Sequence, residues 1–236
     1  MEIMEKQFSQ IKQNLCEIQE NIARAAKKSG RKAEDIMLLG VTKTIPVEGI
    51  QAALDLGITH FGENKVQEFL PKYEALGNSP LWHMIGHLQT NKVKFIMGKV
   101  RLIHSVDNIR LAEEINKRAI QAGCIMDILI EINIADEDTK HGVLLEEVRG
   151  LIEQIAKFPN ICIKGLMCIA PFVEDEEQNR VHFGKMRETF IDIRNQRIYN
   201  TDMVYLSMGM SNDYCTAIEE GANIIRIGTS LFGARG

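Results

Sequence analysis

Eight short apolar runs, separated by turns and mostly by helical patterns, constrain the fold of this 236-residue chain more than any other feature. They cover residues 36–41, 59–61, 81–85, 101–106, 126–134, 161–168, 203–206 and 223–227. The intervening helices have legible ends: Asp107 stands as a cap before the stripe Ile109, Ala112, Ile115 and Ala119, and Gly123 follows it. A second stripe, Leu144, Val148, Leu151, Ile152 and Ile155, stops at Phe158-Pro159. Strands that alternate with helices pair in parallel, and eight is the number that closes a (β/α)8 barrel. The expected class is therefore α/β, a single barrel of this type, with an open doubly wound sheet as the alternative. Before the first strand, Met4, Phe8, Ile11, Leu15, Ile18 and Ile22 recur three and four apart, which predicts an extra N-terminal amphipathic helix ending near Gly30. Its stripe reads as packing against a barrel rather than as a dimer seam, so a monomer is expected.

No Pro-, Gly- or Ser-rich linker interrupts the sequence, and charges of both signs are spread along it, so residues 1–236 are expected to form one domain. A formal net charge of -4 opposes a nucleic-acid binder, whose phosphate contacts need a basic stripe. The N-terminus has no signal-like apolar segment and no run is long enough to cross a bilayer, which points to the cytoplasm. The five cysteines are odd in number and form no Cys-x-x-Cys pair, as expected of reduced, buried thiols rather than a disulfide framework or zinc site.

Chemistry concentrates near the C-terminus. Ser207-Met208-Gly209-Met210-Ser211 precedes Ile224-Ile225-Arg226-Ile227-Gly228-Thr229-Ser230, two small-residue turns on the last two strands, where barrels of this kind often hold phosphate. A helix beginning near Asn212 would leave the Ser211 hydroxyl and free N–H groups facing an anion, while Gly228 permits close approach and Thr229 adds a second hydroxyl. Each motif alone reads as a cap serine or a turn glycine; together they form a phosphate cradle. Arg226 lies inside an apolar strand, so its charge belongs either to a site or to a buried salt bridge, with Glu131 or Glu63 as first partners.

Lys43 follows the first strand at the same mouth, in Val41-Thr42-Lys43-Thr44. Near apolar walls its ammonium would lose hydration and move toward a nucleophilic amine. An amine beside a phosphate cradle points to an aldehyde phosphate, of which pyridoxal 5'-phosphate (PLP) is the obvious example. Arg226 would then face the pyridine nitrogen, where it can only donate and so leaves that nitrogen unprotonated. Asn64 reads equally well as a ligand of the ring hydroxyl and as a turn or helix cap. His83 and His87 are four apart in a strand-like context containing Gly86, so they read as core or turn histidines and no metal site is expected. Glu131 and Asn133 share one face near the end of their strand, and the charged loop 135–142 would overhang the mouth as a lid or a solvated segment.

These residues resemble the pyridoxal phosphate homeostasis family (the YggS/PROSC type) and, more distantly, the barrel domain of alanine racemases. The resemblance runs nearly end to end, through Val41-Thr42-Lys43-Thr44, His60-Phe61-Gly62-Glu63-Asn64-Lys65-Val66-Gln67-Glu68, Trp82-His83-Met84-Ile85-Gly86-His87-Leu88-Gln89, Gly165-Leu166-Met167 and both terminal motifs. It implies that Lys43 forms the internal aldimine with PLP, that Asn64 lies by the ring, that Ser211, Gly228 and Thr229 hold the phosphate, and that Arg226 faces the pyridine nitrogen. It also implies a PLP carrier or regulator without established turnover, with PLP-dependent apoenzymes as candidate recipients and no catalytic residue. The racemase-type C-terminal domain and its tyrosine base are expected to have no counterpart here, and Ile169 stands where those enzymes carry a histidine. A PLP-dependent amino-acid racemase is the alternative; a phosphosugar barrel without PLP would leave Arg226 unexplained.

Overall fold

A computed structural model describes residues 2–137 and 140–233, with side chains from Phe8 onward. Eight parallel strands close into a barrel in sequence order: β1 (Met37–Val41), β2 (His60–Glu63), β3 (Leu81–Met84), β4 (Leu102–Val106), β5 (Met126–Ile132), β6 (Ile161–Cys168), β7 (Thr201–Met210) and β8 (Ile224–Ile227). The last strand pairs with the first, Leu39 opposite Arg226, so the fold is the expected (β/α)8 barrel. Around it lie α2 (Val47–Asp55), α3 (Val66–Leu76), α4 (Ile109–Ala122), α5 (Val148–Ile155), α6 (Arg180–Gln196), α7 (Tyr214–Glu219) and α8 (Thr229–Phe232), preceded by α1 (Glu2–Lys28). Between β3 and β4 the connection is only a 3-10 helix, Thr90–Phe95.

Side chains alternate across each strand, so most strands feed two cores. One lies between the sheet and the helices and includes the fully buried Phe61, Trp82, Ile103, Ile130 and Phe183. The smaller fills the lumen with Leu39, Val41, Ile85, Leu102, Leu129, Met167 and Ile224. From α1, Ile11, Leu15, Ile18 and Ile22 are buried against the barrel's helices. Asn14 donates to the Leu231 carbonyl at 2.9 Å, Asn21 to the Tyr214 hydroxyl at 2.7 Å, and Lys28 pairs with Glu219 at 2.8 Å, which together fix α1 across α7 and α8. Phe8 is exposed, and Met4 lies outside the residues whose side chains are described.

Three boundaries differ from expectation. β7 runs four residues beyond Leu206, because Met167 on β6 and Arg226 on β8 supply ladder partners to Ser207 and Met210. Its end is a hydrogen bond from the Met210 N–H to Asp213 Oδ1 at 2.7 Å, so α7 starts at Tyr214 and Ser211 lies in the preceding turn rather than at a cap before Asn212. The cap of α4 is Asn108, whose Oδ1 accepts from the Leu111 N–H at 2.9 Å; Asp107 instead accepts from Asn108 Nδ2. β5 ends at Ile132, since Asn133 turns to bracket Glu137, accepting from its N–H and donating to its carbonyl.

Candidate functional site

A cavity of about 390 Å³ opens at the carboxyl ends of β1, β2, β7 and β8. Lys43, Asn64, Ser211, Arg226, Gly228 and Thr229, separated by up to 186 positions in the chain, all line it. Val41, Ile45, Ile85, Ile169 and Phe232 supply apolar wall, and Phe172 lies at the rim, largely exposed. The mixture of an amine, a guanidinium, two hydroxyls and apolar walls suits a ring-bearing anion of a few hundred cubic ångströms.

Lys43 follows β1 in a tight turn. The Ile45 N–H returns to the Thr42 carbonyl at 2.9 Å, and Thr44 takes a φ of 65°, a costly conformation for a β-branched residue. Glu68 Oε2 accepts from the Thr44 N–H at 2.9 Å and helps hold that turn. Beneath it lies a group that sequence reasoning missed. Lys72 from α3 donates to the Thr42 carbonyl at 2.7 Å and to Glu63 Oε1 at 2.6 Å, while the Thr42 hydroxyl donates to the same Glu63 oxygen at 2.6 Å. Burial raises the Glu63 pKa, opposed by the bonds from Lys72 and Thr42. Glu63 is thus committed to Lys72 and is not a partner of Arg226.

Among the described residues the buried Arg226 has no carboxylate partner either. Its Nη1 donates to Ser207 Oγ at 2.7 Å and its Nη2 to the Cys168 carbonyl at 2.7 Å. Burial lowers its pKa, with the nearby Cys168, Glu131 and Asp213 opposing. No salt bridge joins it to Glu131 among the described residues, so the salt-bridge expectation for this arginine is not met, and its side chain lines the cavity.

Behind Arg226 a polar column descends through the lumen, again unforeseen in the sequence. Ser207 Oγ lies 3.1 Å from His104 Nδ1, His104 Nε2 lies 2.9 Å from His83 Nδ1, and His83 Nε2 lies 2.9 Å from His60 Nδ1. Burial is the main cause that holds the His83 pKa down to about 3 and the His104 pKa well below its ordinary value, so both rings are neutral. A neutral imidazole carries one N–H, so each contact has one donor and the N–H groups all point the same way along the column. The column buttresses Ser207 and, through it, the aim of the guanidinium. One signal existed: the three histidines fall in three consecutive strands, His60 opening β2 and His83 and His104 each standing third in β3 and β4.

The residues read as a phosphate cradle meet at the ends of β7 and β8. Gly228 holds the N-cap position of α8, whose first N–H groups have no intrahelical acceptor by position. The Ser230 N–H approaches Ser211 Oγ at 3.4 Å, linking the two turns. Asp213 braces the Ser211 turn from below, accepting from Asn179 Nδ2 at 2.9 Å, and that amide also reaches the Pro171 carbonyl. Asn64 Oδ1 is buried and has no hydrogen-bond partner, an acceptor left open at the cavity wall.

Glu131, which ends the inward face of β5, is buried with an unpartnered Oε2. Burial above all, then the Asp107 charge, pushes its pKa up to about 7, with Arg226 opposing. Because the folded value exceeds the ordinary 4.5, folding takes up a proton between these limits, and stability falls as pH rises through that window. At pH 8 Glu131→Gln is expected to be more stable than the parent by about 3 kcal/mol, with no difference near pH 4. Urea denaturation at both pH values checks this; equal offsets would remove the carboxylate as cause.

The loop read as a possible lid is described except at Asp138 and Thr139, which lie outside the described residues. Its return leg is tied to β5, as the Val143 N–H donates to the Glu131 carbonyl and Val143 O accepts from the Asn133 N–H. Among the described residues no helix is long and apolar enough to cross a membrane.

Residues 13–236 match the family model for the alanine racemase N-terminal domain. A pyridoxal phosphate homeostasis protein of Aquifex aeolicus is 49% identical over 227 residues, covering 94% of this chain and 99% of the relative. The crystal structure of a Bifidobacterium adolescentis protein of unknown function superposes with a TM-score of 0.91 at 33% identity, over 96% of each chain. The Synechococcus elongatus protein PipY, solved with PLP bound, gives a TM-score of 0.82 at 30% identity over 94% of this chain and all of that one. With matches of that extent at both the sequence and the fold level, the chain belongs to the pyridoxal phosphate homeostasis protein family, built on the alanine racemase N-terminal domain.

Proposed function

We propose that this chain is a cytoplasmic, monomeric PLP-binding protein of one domain, residues 1–236, that buffers or delivers the cofactor to PLP-dependent apoenzymes. The observation that carries the reading is the convergence of Lys43, Asn64, Ser211, Arg226, Gly228 and Thr229 on one cavity. The fit rests on the open acceptor of Asn64 and on a guanidinium already anchored from behind. PLP brings an aldehyde that a lysine amine binds reversibly as a Schiff base with loss of water, and a dianionic phosphate. Lys43 would supply that amine from its pinned turn. Ser211, Gly228 and Thr229 would receive the phosphate, the hydroxyls and the first N–H groups of α8 donating to it. Arg226, a permanent donor, would hold the pyridine nitrogen unprotonated and so limit carbanion chemistry. Asn64 would orient the ring from β2.

The non-catalytic part of this reading is supported by the lining. Its described titratable side chains are Lys43, Glu176, Asp213 and Arg226, with no histidine or tyrosine placed to serve as a second proton donor opposite Lys43. Replacing Ser211 and Thr229 together with alanine is expected to weaken PLP roughly ten- to a hundredfold, as two charge-assisted hydrogen bonds are lost, and to leave pyridoxal nearly unchanged. Equal losses for both ligands would displace the phosphate assignment. In the same samples the loaded protein is expected to leave the α-proton of L- and D-alanine unexchanged in deuterium oxide. Exchange at about ten per second, an ordinary enzymatic rate, would replace the carrier with a racemase and make Glu176 the first acid to remove.

A further inference from the structure

The two histidines four apart in the β3 motif part company in the fold. His83 points into the lumen and joins the polar column, whereas His87 emerges at the rim, where its ring stacks on that of His141 with centroids 4.0 Å apart and planes 14° from parallel. Asp107, just past the end of β4, completes a group whose ligand atoms all lie within 4.8 Å of one another. The three residues follow three neighbouring strands, β3, β4 and β5, and none of them lines the cavity that holds Lys43.

We propose that His87, Asp107 and His141 form a binding site for a late first-row divalent cation of the zinc class, with water in its remaining positions. Two imidazoles and one carboxylate are the donor set such ions take, usually with an open position. Around a tetrahedral ion with bonds of about 2.0–2.1 Å, neighbouring donors stand about 3.3 Å apart, so the side chains need close by no more than about 1.5 Å. The parallel rings hold their lone pairs in separate planes, and binding turns one imidazole about its side-chain torsions. Both histidines are exposed, so that rotation moves the ring into solvent rather than into packed core.

The backbone beneath the ligands is held in place. Next to His87, the Gly86 carbonyl accepts from the Ser105 hydroxyl at 2.7 Å, and a Cβ at Gly86 would stand 2.6 Å from the Asn64 carbonyl oxygen, so this turn fits only glycine. Next to His141, Gly142 has a φ of 116° and presses on β5, where a Cβ would lie 2.4 Å from the Asn133 nitrogen. Pinned backbone of this kind keeps the ligands near one another before an ion arrives. The neighbouring Lys140 is paired with Glu137 at 2.7 Å. An ion here would tie the loop after β5 to the ends of β3 and β4.

The test uses the full chain, stripped with a chelator and free of any affinity tag, titrated calorimetrically with Zn²⁺ and, separately, with Co²⁺ while the visible d–d bands are followed. One ion per chain is expected, with imidazole-bound Co²⁺ bands. His87→Ala and His141→Ala are each expected to weaken binding at least roughly tenfold, and melting curves without metal verify that both variants remain folded. Unchanged affinity in the double variant, or no binding below millimolar Zn²⁺, would overturn the proposal. PLP loading, read from its absorbance, is expected to be the same in parent and variants, so this site and the cofactor reading stand or fall separately.

Discussion

Lys43→Ala is expected to remove the visible absorbance of the PLP-loaded protein completely and to leave nothing for borohydride to trap, while PLP is still held weakly. The expectation follows from the division of labour in the cavity: Lys43 is the amine in the set, whereas Ser211, Gly228, Thr229 and Arg226 line other parts of the wall and persist in the variant. Spectra and borohydride reduction followed by mass measurement check it. A covalent adduct at full occupancy in the variant would show that another lysine carries the cofactor, and with it the meaning given to the strained turn at Thr44 would fall.

The other large effect is on stability. Lys72→Ala is expected to cost about 3–5 kcal/mol, because it leaves the Glu63 carboxylate buried without its cation and the Thr42 carbonyl short of a donor. The pair itself contributes little beyond what a hydrophobic replacement would, so Lys72→Met combined with Glu63→Gln is expected to recover most of the loss. Urea unfolding of the three chains measures both. If Lys72→Ala costs no more than a surface substitution, Glu63 is protonated in the folded state and the Lys72 contact is not an ion pair. The same variant is expected to weaken PLP binding, since Thr42, one residue before Lys43, loses its support from α3.

How much of this was legible beforehand follows from the range of each interaction. Strand and helix types are written locally, in short apolar runs bounded by turns and in stripes spaced three and four apart, so seven of the eight strands appear within a residue or two of where they were read. β7 is the exception, because nothing local distinguishes Ser207-Met208-Gly209-Met210 from a turn; the ladder partners that keep it extended come from β6 and β8. The candidate site was legible to the extent that its groups are unusual in their own surroundings. An arginine in an isoleucine strand and a lysine after a glycine-bearing one are anomalies at their positions, and the barrel brings both to the mouth of one cavity.

What the sequence determined by itself is the alternation of apolar runs and helical stripes that closes an eight-stranded barrel and the placing of Lys43, Asn64, Gly228 and Thr229 just past strand ends, with Arg226 inside the last strand, since both depend on residue type and short spacing. Only the tertiary structure decided who pairs with whom. Glu63 takes Lys72 rather than Arg226, Arg226 takes Ser207 and the Cys168 carbonyl rather than a carboxylate, and His83 and His87 turn to different partners. Burial and hydrogen-bond geometry select those partners across gaps of up to 58 positions, and each is set by where the closed sheet points a side chain, which no local pattern encodes.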